Sequence, residues 1–197
     1  MRQFPMSLSA GVRILSWTIV LLMCAVPLLA WSILPGVAIG GPRGPGGPGV
    51  EVARWASLFA PLVALVSWAL APRGLEIEGG ELRILRNAWR AATVPLSSIQ
   101  EIAVLPPGSL RGAVRTFGNG GLFGYYGWYY RRGPFRLFAT RRDRLVEIVA
   151  AGKRVVVSPD DPGRFVEGLL SRSPRARLRQ PAGERGDPGA ASASRRS

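Results

Sequence analysis

The feature that most constrains the fold of this 197-residue chain is a change in hydrophobic periodicity near Gly74. Before that point the sequence contains long apolar runs with few charges, whereas after it apolar and polar residues alternate in short segments. Alternation with period two is typical of strands that bury one face, and many short strands between turn residues are typical of an antiparallel sandwich or barrel. The sequence therefore predicts a helical N-terminal part followed by a β-rich domain.

The predicted strands are separated by residues that favour tight turns. Residues 75–78 are followed by Gly79-Gly80 and residues 81–86, which predicts a β-hairpin, and a second hairpin turn is predicted at Ala151-Gly152-Lys153. The other predicted strand segments are 92–95, 99–105, 110–117, 128–131, 135–140, 145–150 and 154–157.

One amphipathic helix is predicted at the end of this domain. Asp161 is a favourable N-cap and Pro162 a favourable first helical residue, and the apolar residues that follow share one face. Because Asp160 and Asp161 are adjacent, they are better explained as helix-capping residues than as a catalytic pair, which needs two carboxylates across a cleft. The predicted domain covers residues 72–171.

Two apolar runs precede the domain. Residues 14–34 and 55–71 contain no charged side chain. The first run has the roughly 20 residues that a bilayer crossing requires, and the second, with 17 apolar or small residues, is near the lower limit. Basic residues lie before the first run and after the second, which predicts that both termini are cytoplasmic. The alternative is a cleaved signal peptide and a secreted β domain. The first interpretation gives an N-terminal segment 1–13, transmembrane helices 14–38 and 52–71, and a Gly/Pro-rich external loop 39–51.

The C-terminal residues 172–197 form a basic tail. Leu178 is its one large apolar residue, so the tail cannot bury a core and is predicted to be disordered.

Composition excludes several classes of function. The chain has no histidine and one cysteine, Cys24, so histidine-dependent nucleophiles and the commonest metal ligand are unavailable. The net charge of +14 is spread along the chain rather than concentrated, which argues against a nucleic-acid-binding protein. We expect no catalytic site, metal or cofactor.

A glycine- and aromatic-rich segment, residues 117–140, is the strongest candidate for a binding site. It matches neither a P-loop nor a dinucleotide-binding fingerprint. Two interpretations stay open: a wide loop that folds back on its own aromatic residues, or a site for an anion or a partner. The candidate site residues are Arg115, Gly118, Asn119, Gly120, Gly121, Arg131 and Arg132.

Several motifs resemble the bacterial PH-domain (pleckstrin-homology-like) family of membrane-anchored proteins. These are TFGNGGLFGYYGWYYRR, the Phe138-Ala139-Thr140 strand and the SPDDPGRF turn at residues 158–165. The resemblance implies a membrane-anchored α+β protein, in which a two-helix transmembrane hairpin precedes a PH-like β-sandwich or barrel capped by one C-terminal helix. It also implies a location in the bacterial inner (plasma) membrane, and it implies no settled activity.

The expected function is therefore a non-enzymatic scaffold or interaction protein. Its partner is expected to be a protein or the anionic lipid of the inner leaflet, since several arginines between Arg131 and Arg144 could meet lipid headgroups. The alternative is an accessory subunit of a membrane enzyme or transport complex. The sequence leaves open a homo-oligomer.

Overall fold

The computed structural model describes residues 2–33 and 48–179 of the chain. Two long helices, α1 (Ala10–Ile33) and α2 (Pro48–Leu70), pack against each other before the β domain begins. Ser9 precedes α1 and its hydroxyl accepts a hydrogen bond from the Val12 amide at 3.4 Å, as an N-cap side chain does.

The predicted transmembrane hairpin and the multi-pass membrane location are wrong. A crossing helix needs about 20 apolar residues, and within the described part of the chain no helix is long and apolar enough to span a membrane. The beginning of the predicted first span, at Ser16, is instead buried against the β domain. Most of the predicted external loop, residues 39–47, lies outside the described residues, and residues 48–51 form the first turn of α2.

The described residues form two β-sheets. The four-stranded sheet has the order β1-β2-β3-β4, and the seven-stranded sheet has the order β11-β5-β9-β10-β8-β7-β6. Neighbouring strands are antiparallel except for the pairs β8–β10 and β5–β11, which are parallel. The strand bounds are β1 Arg2–Pro5, β2 Pro72–Glu78, β3 Glu81–Arg86, β4 Ala92–Pro95, β5 Ile99–Leu105, β6 Val114–Gly121, β7 Gly124–Tyr130, β8 Pro134–Ala139, β9 Leu145–Ala150, β10 Lys153–Val157 and β11 Arg177–Leu178.

The two hairpin turns predicted from the sequence are confirmed. Gly79 and Gly80 both have positive φ, 59° and 81°, and join β2 to β3. Ala151 and Gly152, with φ of 48° and 73°, join β9 to β10. Consecutive positive φ values match the twist of the flanking strands, and this explains why short glycine-containing turns suffice here.

The main core lies between the two sheets, and α3 (Pro162–Leu170) closes it. The alternating apolar residues of β2 and β3 face those of β5, β9 and β10, which gives the β-rich domain expected from the sequence pattern. Buried residues of this core include Leu75, Ile77, Leu82, Ile84, Ile99, Ile102, Val146, Ile148, Val157, Phe165 and Leu169.

The N-terminal residues add a strand to this domain. Strand β1 pairs with β2 in antiparallel register, and the Phe4 ring packs edge-on against Phe165 of α3 at a centroid distance of 5.3 Å. Segment 1–13 therefore includes, from Arg2 onward, a strand of the sheet and the start of α1, which the sequence did not suggest.

The C-terminal residues of the described chain also pair with the domain. Strand β11 lies beside β5, and Arg179 forms ion pairs with Glu101 and with the buried Glu147 of β9. Arg154 binds the other side of Glu147 with an N–O distance of 2.6 Å. Because a buried carboxylate is stable only when paired, these contacts fix residues 177–179 to the sheet. The rest of the predicted disordered tail, residues 180–197, lies outside the described residues.

Candidate functional site

The glycine-rich segment is a β-hairpin rather than the wide loop that was one of its two interpretations. Strands β6 and β7 pair from Val114–Tyr130 to Gly121–Gly124, with a two-residue turn at Leu122-Phe123. Glycines are required where the strands approach most closely. A side chain at Gly118 or Gly127 would collide with the opposite backbone, and both residues have positive φ.

One face of this hairpin carries exposed aromatic side chains. Phe117 is 76 % exposed, Tyr130 is 55 % exposed and Trp128 is 46 % exposed. Phe117 and Trp128 are direct cross-strand partners, and Val114 pairs with Tyr130, two residues further along β7. Directly paired residues project to the same side of a sheet. We call the surface formed by Val114, Phe117, Trp128 and Tyr130 the aromatic face.

Arg136 of β8 extends the aromatic face. It is the cross-strand partner of Trp128, and its guanidinium lies 5.4 Å from the Trp128 ring centroid and 5.0 Å from that of Phe138. Such contacts hold an arginine over aromatic rings while its N–H groups stay available to a ligand. Arg86 of β3 also lies over Phe138, and burial, followed by the charge of Arg136, lowers its pKa.

The tip of the hairpin is anchored to the two helices. The Phe123 amide donates a hydrogen bond to the Ser16 hydroxyl at 2.8 Å, and the Trp17 ring packs edge-on against Phe123. The Tyr126 hydroxyl donates to the Ser67 carbonyl of α2 at 2.7 Å. Burial raises the pKa of Tyr126, so its hydroxyl stays protonated and able to donate.

Asn119 fixes the turn between the two strands. Its side-chain amide donates to the Leu122 carbonyl at 2.7 Å and to the Tyr126 hydroxyl at 3.1 Å. The backbone carbonyl of Asn119 accepts from the Tyr129 hydroxyl. Asn119 was predicted as a binding residue, and in the structure its polar atoms are used within the hairpin.

The opposite face of the hairpin contains Arg115. It is paired with Tyr129 and lies over Gly120, where any added Cβ would come within 2.8 Å of its guanidinium. Nearby, Arg142 stacks on Tyr125 at 4.4 Å and lines an open cleft with Ser9 of the α1 N-terminus. Burial raises the pKa of Tyr129, and the positive charges of Arg115 and Arg142 act in the opposite direction.

The structure brings only some of the predicted site residues together. Arg115, Asn119 and Gly120 are close to one another, and Gly121 lies next to them at the hairpin turn. Arg131 and Arg132 lie in the β7–β8 turn at the other end of β7, and the Arg131 carbonyl accepts a hydrogen bond from Arg154. A single anion site containing all seven residues would therefore need a ligand as long as the strand.

The two aspartates have different positions at the start of α3. Asp161 is the N-cap and accepts from the Arg164 amide at 3.0 Å, with Pro162 in the first turn. Asp160 instead binds Ser7, accepting from its amide at 2.9 Å and its hydroxyl at 2.7 Å. Asp160 thus links the N-terminal segment to the domain.

The residues of the aromatic face were not selected from the sequence as site residues. An available signal was the charge pattern: residues 102–142 contain no aspartate or glutamate. The arginines in that stretch are Arg111, Arg115, Arg131, Arg132, Arg136, Arg141 and Arg142. In the described part of the chain, no three His, Cys, Asp or Glu residues form a group that could hold a metal.

Comparison with known proteins identifies the domain. The model of the bacterial PH domain family matches residues 73–173, which is more than half of the chain. The chain belongs to this family. The resemblance inferred from the sequence motifs is therefore confirmed for the PH domain, but the match does not show membrane anchoring. No curated protein and no solved structure matches the chain.

Proposed function

We propose that this PH domain is a non-enzymatic binding module that engages a protein partner through the aromatic face of β6 and β7. The observation that supports the proposal most directly is the exposure of Phe117, Trp128 and Tyr130 side by side on a hairpin whose tip is anchored. Aromatic side chains and arginine dominate the binding energy of protein interfaces, and here both residue types occur in one row.

The rigidity of the hairpin favours binding. Its tip is held by hydrogen bonds from Phe123 to Ser16 and from Tyr126 to Ser67, which restrain the hairpin that carries the aromatic face. A preordered surface loses less conformational entropy on association than a mobile loop.

Site-specific photocrosslinking in living cells tests this function. A photoreactive phenylalanine analogue is introduced into the full chain in place of Phe117, and separately in place of Trp89, and crosslinked proteins are identified by mass spectrometry. Trp89 is the matched control because it is also exposed but lies on the turn between β3 and β4. We expect a discrete protein adduct from position 117 that is lost when Trp128→Ser is added.

Two results would contradict the proposal. The same adducts at positions 117 and 89 would show that the crosslinks are unspecific. Adducts to lipid alone from position 117 would show that the aromatic face contacts a lipid surface instead of a protein.

A further inference from the structure

We propose that the partner binds as an extended strand of alternating acidic and apolar residues, added to the free edge of β6. This inference rests on the function proposed above and specifies the chemistry of the partner at the same site. Three features of β6 support it: the strand has an open edge, one side of it is apolar, and the other side is cationic.

Strand β6 has an open edge. It is the last strand in the seven-stranded order, and within residues 2–33 and 48–179 it pairs with β7 alone. An exposed edge offers unpaired N–H and C=O groups to another strand. In an antiparallel hairpin, every second residue directs its N–H and C=O groups toward the partner strand. From the two-residue turn onward, these are Gly121 and Asn119 in β6, so the N–H and C=O groups of Gly120 and Gly118 point outward.

The edge has few of the features that normally prevent strand addition. The eight residues of β6 contain no proline, and their one charged residue is Arg115. Glycines at 118, 120 and 121 leave room for close approach of a second backbone. The bulge between Arg115 and Phe117 lies near the start of the strand, so the edge from Phe117 to Gly121 is regular.

The two sides of β6 select different side chains. Phe117 and Val114 project to the aromatic face, whereas Arg115 projects to the opposite face with Tyr129. An added strand places successive side chains on alternate faces, with contacts to direct cross-strand neighbours. Apolar residues of the partner would therefore meet Phe117, and acidic residues would meet Arg115.

Charge further favours an acidic partner. Residues 102–142 contain seven arginines and no acidic residue. Asp143, which follows this stretch and lies in the cleft beside Arg142, is already paired with Arg141 and Arg144. Charge complementarity of this kind speeds association and rejects cationic partners.

The same charges disfavour a second copy of this chain as the occupant. A second β6 strand has no acidic side chain to meet Arg115 of the first copy. The net charge of +14 on each copy also opposes association.

The test uses a fluorescent eight-residue peptide of alternating glutamate and valine, titrated with the purified full chain by anisotropy. A lysine–valine peptide of equal length and a glutamate–valine peptide N-methylated on alternate residues are the controls. We expect the first peptide to bind and the two controls to bind at least tenfold more weakly. Arg115→Glu should weaken binding at least tenfold, whereas Arg90→Glu, an equal charge change on the exposed β3–β4 turn, should change it less than threefold.

Amide hydrogen exchange measured by NMR reports the binding mode directly. Addition of the glutamate–valine peptide should slow exchange of the Gly118 and Gly120 amides and leave the exposed Gly80 amide unchanged. Unchanged exchange at both β6 glycines, or equal binding of the N-methylated peptide, would overturn strand addition. Equal binding of the lysine–valine peptide would overturn the acidic partner.

The remaining outcomes separate this inference from the proposed function. If crosslinking from Phe117 still yields one protein while Arg115→Glu and N-methylation have no effect, the function stands and strand addition is wrong. Vesicles of anionic phospholipid that bind the chain, with no peptide binding, would identify a lipid surface as the ligand. Sedimentation showing a dimer that Gly120→Pro dissociates would identify a second copy.

Discussion

Strands β9 and β6 belong to one sheet but have opposite environments. In β9 five of six residues are buried and the sixth is half-buried, whereas no residue of β6 is buried. Strand β9 lies between β5 and β10, and β6 lies at the sheet edge. Core packing is therefore concentrated at the centre of the sheet, and an open surface lies at its edge. We expect substitutions at the centre to change stability and substitutions at the edge to change binding.

The largest loss of stability is expected at the centre of the sheet. Ile148→Ala removes a side chain that is 0 % exposed in the main core, so it should lower the free energy of unfolding by about 2–5 kcal/mol. Urea denaturation followed by circular dichroism measures the change. A loss below about 1 kcal/mol would mean that β9 is not the centre of the core.

The second-largest loss of stability is expected where the backbones of β6 and β7 are in contact. Gly127→Ala places a methyl group against the Phe117 carbonyl and 2.7 Å from the Gly118 Cα, at a φ of 129°. It should cost about 1–3 kcal/mol and accelerate amide exchange across β6 more than across β9. Gly121→Ala is the control, because its φ is 138° but nothing lies within 4 Å of the added carbon. Equal losses of stability in both variants would show that the loss comes from the positive φ rather than from contact between the strands.

A smaller effect is expected at the hairpin anchor. Tyr126→Phe removes the hydrogen bonds to the Ser67 carbonyl and from Asn119, which should cost about 0.5–1.5 kcal/mol at neutral pH. Burial raises the folded-state pKa of Tyr126 above its ordinary 10.0, so its contribution is present below about pH 10 and is lost as pH rises through the folded pKa. The variant should therefore show a shallower loss of stability in alkaline denaturation.

Tyr130→Phe is the control for this anchor, because Tyr130 is an exposed tyrosine of the same strand. Its loss of stability at neutral pH should be no more than about 0.5 kcal/mol, as for other exposed side chains. An unchanged alkaline profile in Tyr126→Phe would show that the Tyr126 hydroxyl is not buried in solution.

The smallest effect on stability is expected at the aromatic face. Phe117→Ser should change the free energy of unfolding by no more than about 0.5 kcal/mol, because the side chain is 76 % exposed. The same urea titration measures it. A loss above about 1 kcal/mol would show that Phe117 is covered in solution, which would remove the contrast between β6 and β9.

Much of the β domain could be predicted because its signals are local. Alternation in residues 75–78 and 81–86, with Gly79-Gly80 between them, specifies a hairpin through short-range geometry alone. Pro162 and Asp161 likewise determine where α3 begins. The family resemblance rested on such local motifs, and the match over residues 73–173 confirms it.

The predictions that failed depended on interactions between distant parts of the chain. The apolar run at residues 14–34 was interpreted as a membrane span, but no helix among the described residues is long and apolar enough to cross a membrane. In the fold, Ser16 and Trp17 of that run contact Phe123, more than 100 positions away. The glycine density of residues 118–127 was equally consistent with a wide loop. Only the close pairing of Gly118 with Gly127 distinguishes a hairpin that requires glycine from a loop that tolerates it.

The sequence by itself determined the strand periodicity, the tight turns, the helix cap and the absence of acidic residues from 102 to 142, because each depends on the identity or spacing of near neighbours. The tertiary structure decided that β1 and β11 join the sheets, that Glu147 is buried between two arginines, and which strand was left at the edge. Burial is a property of what packs around a residue, so the exposure of Phe117 and Trp128 beside buried Tyr126 and Tyr129 appears only once the strands are assembled.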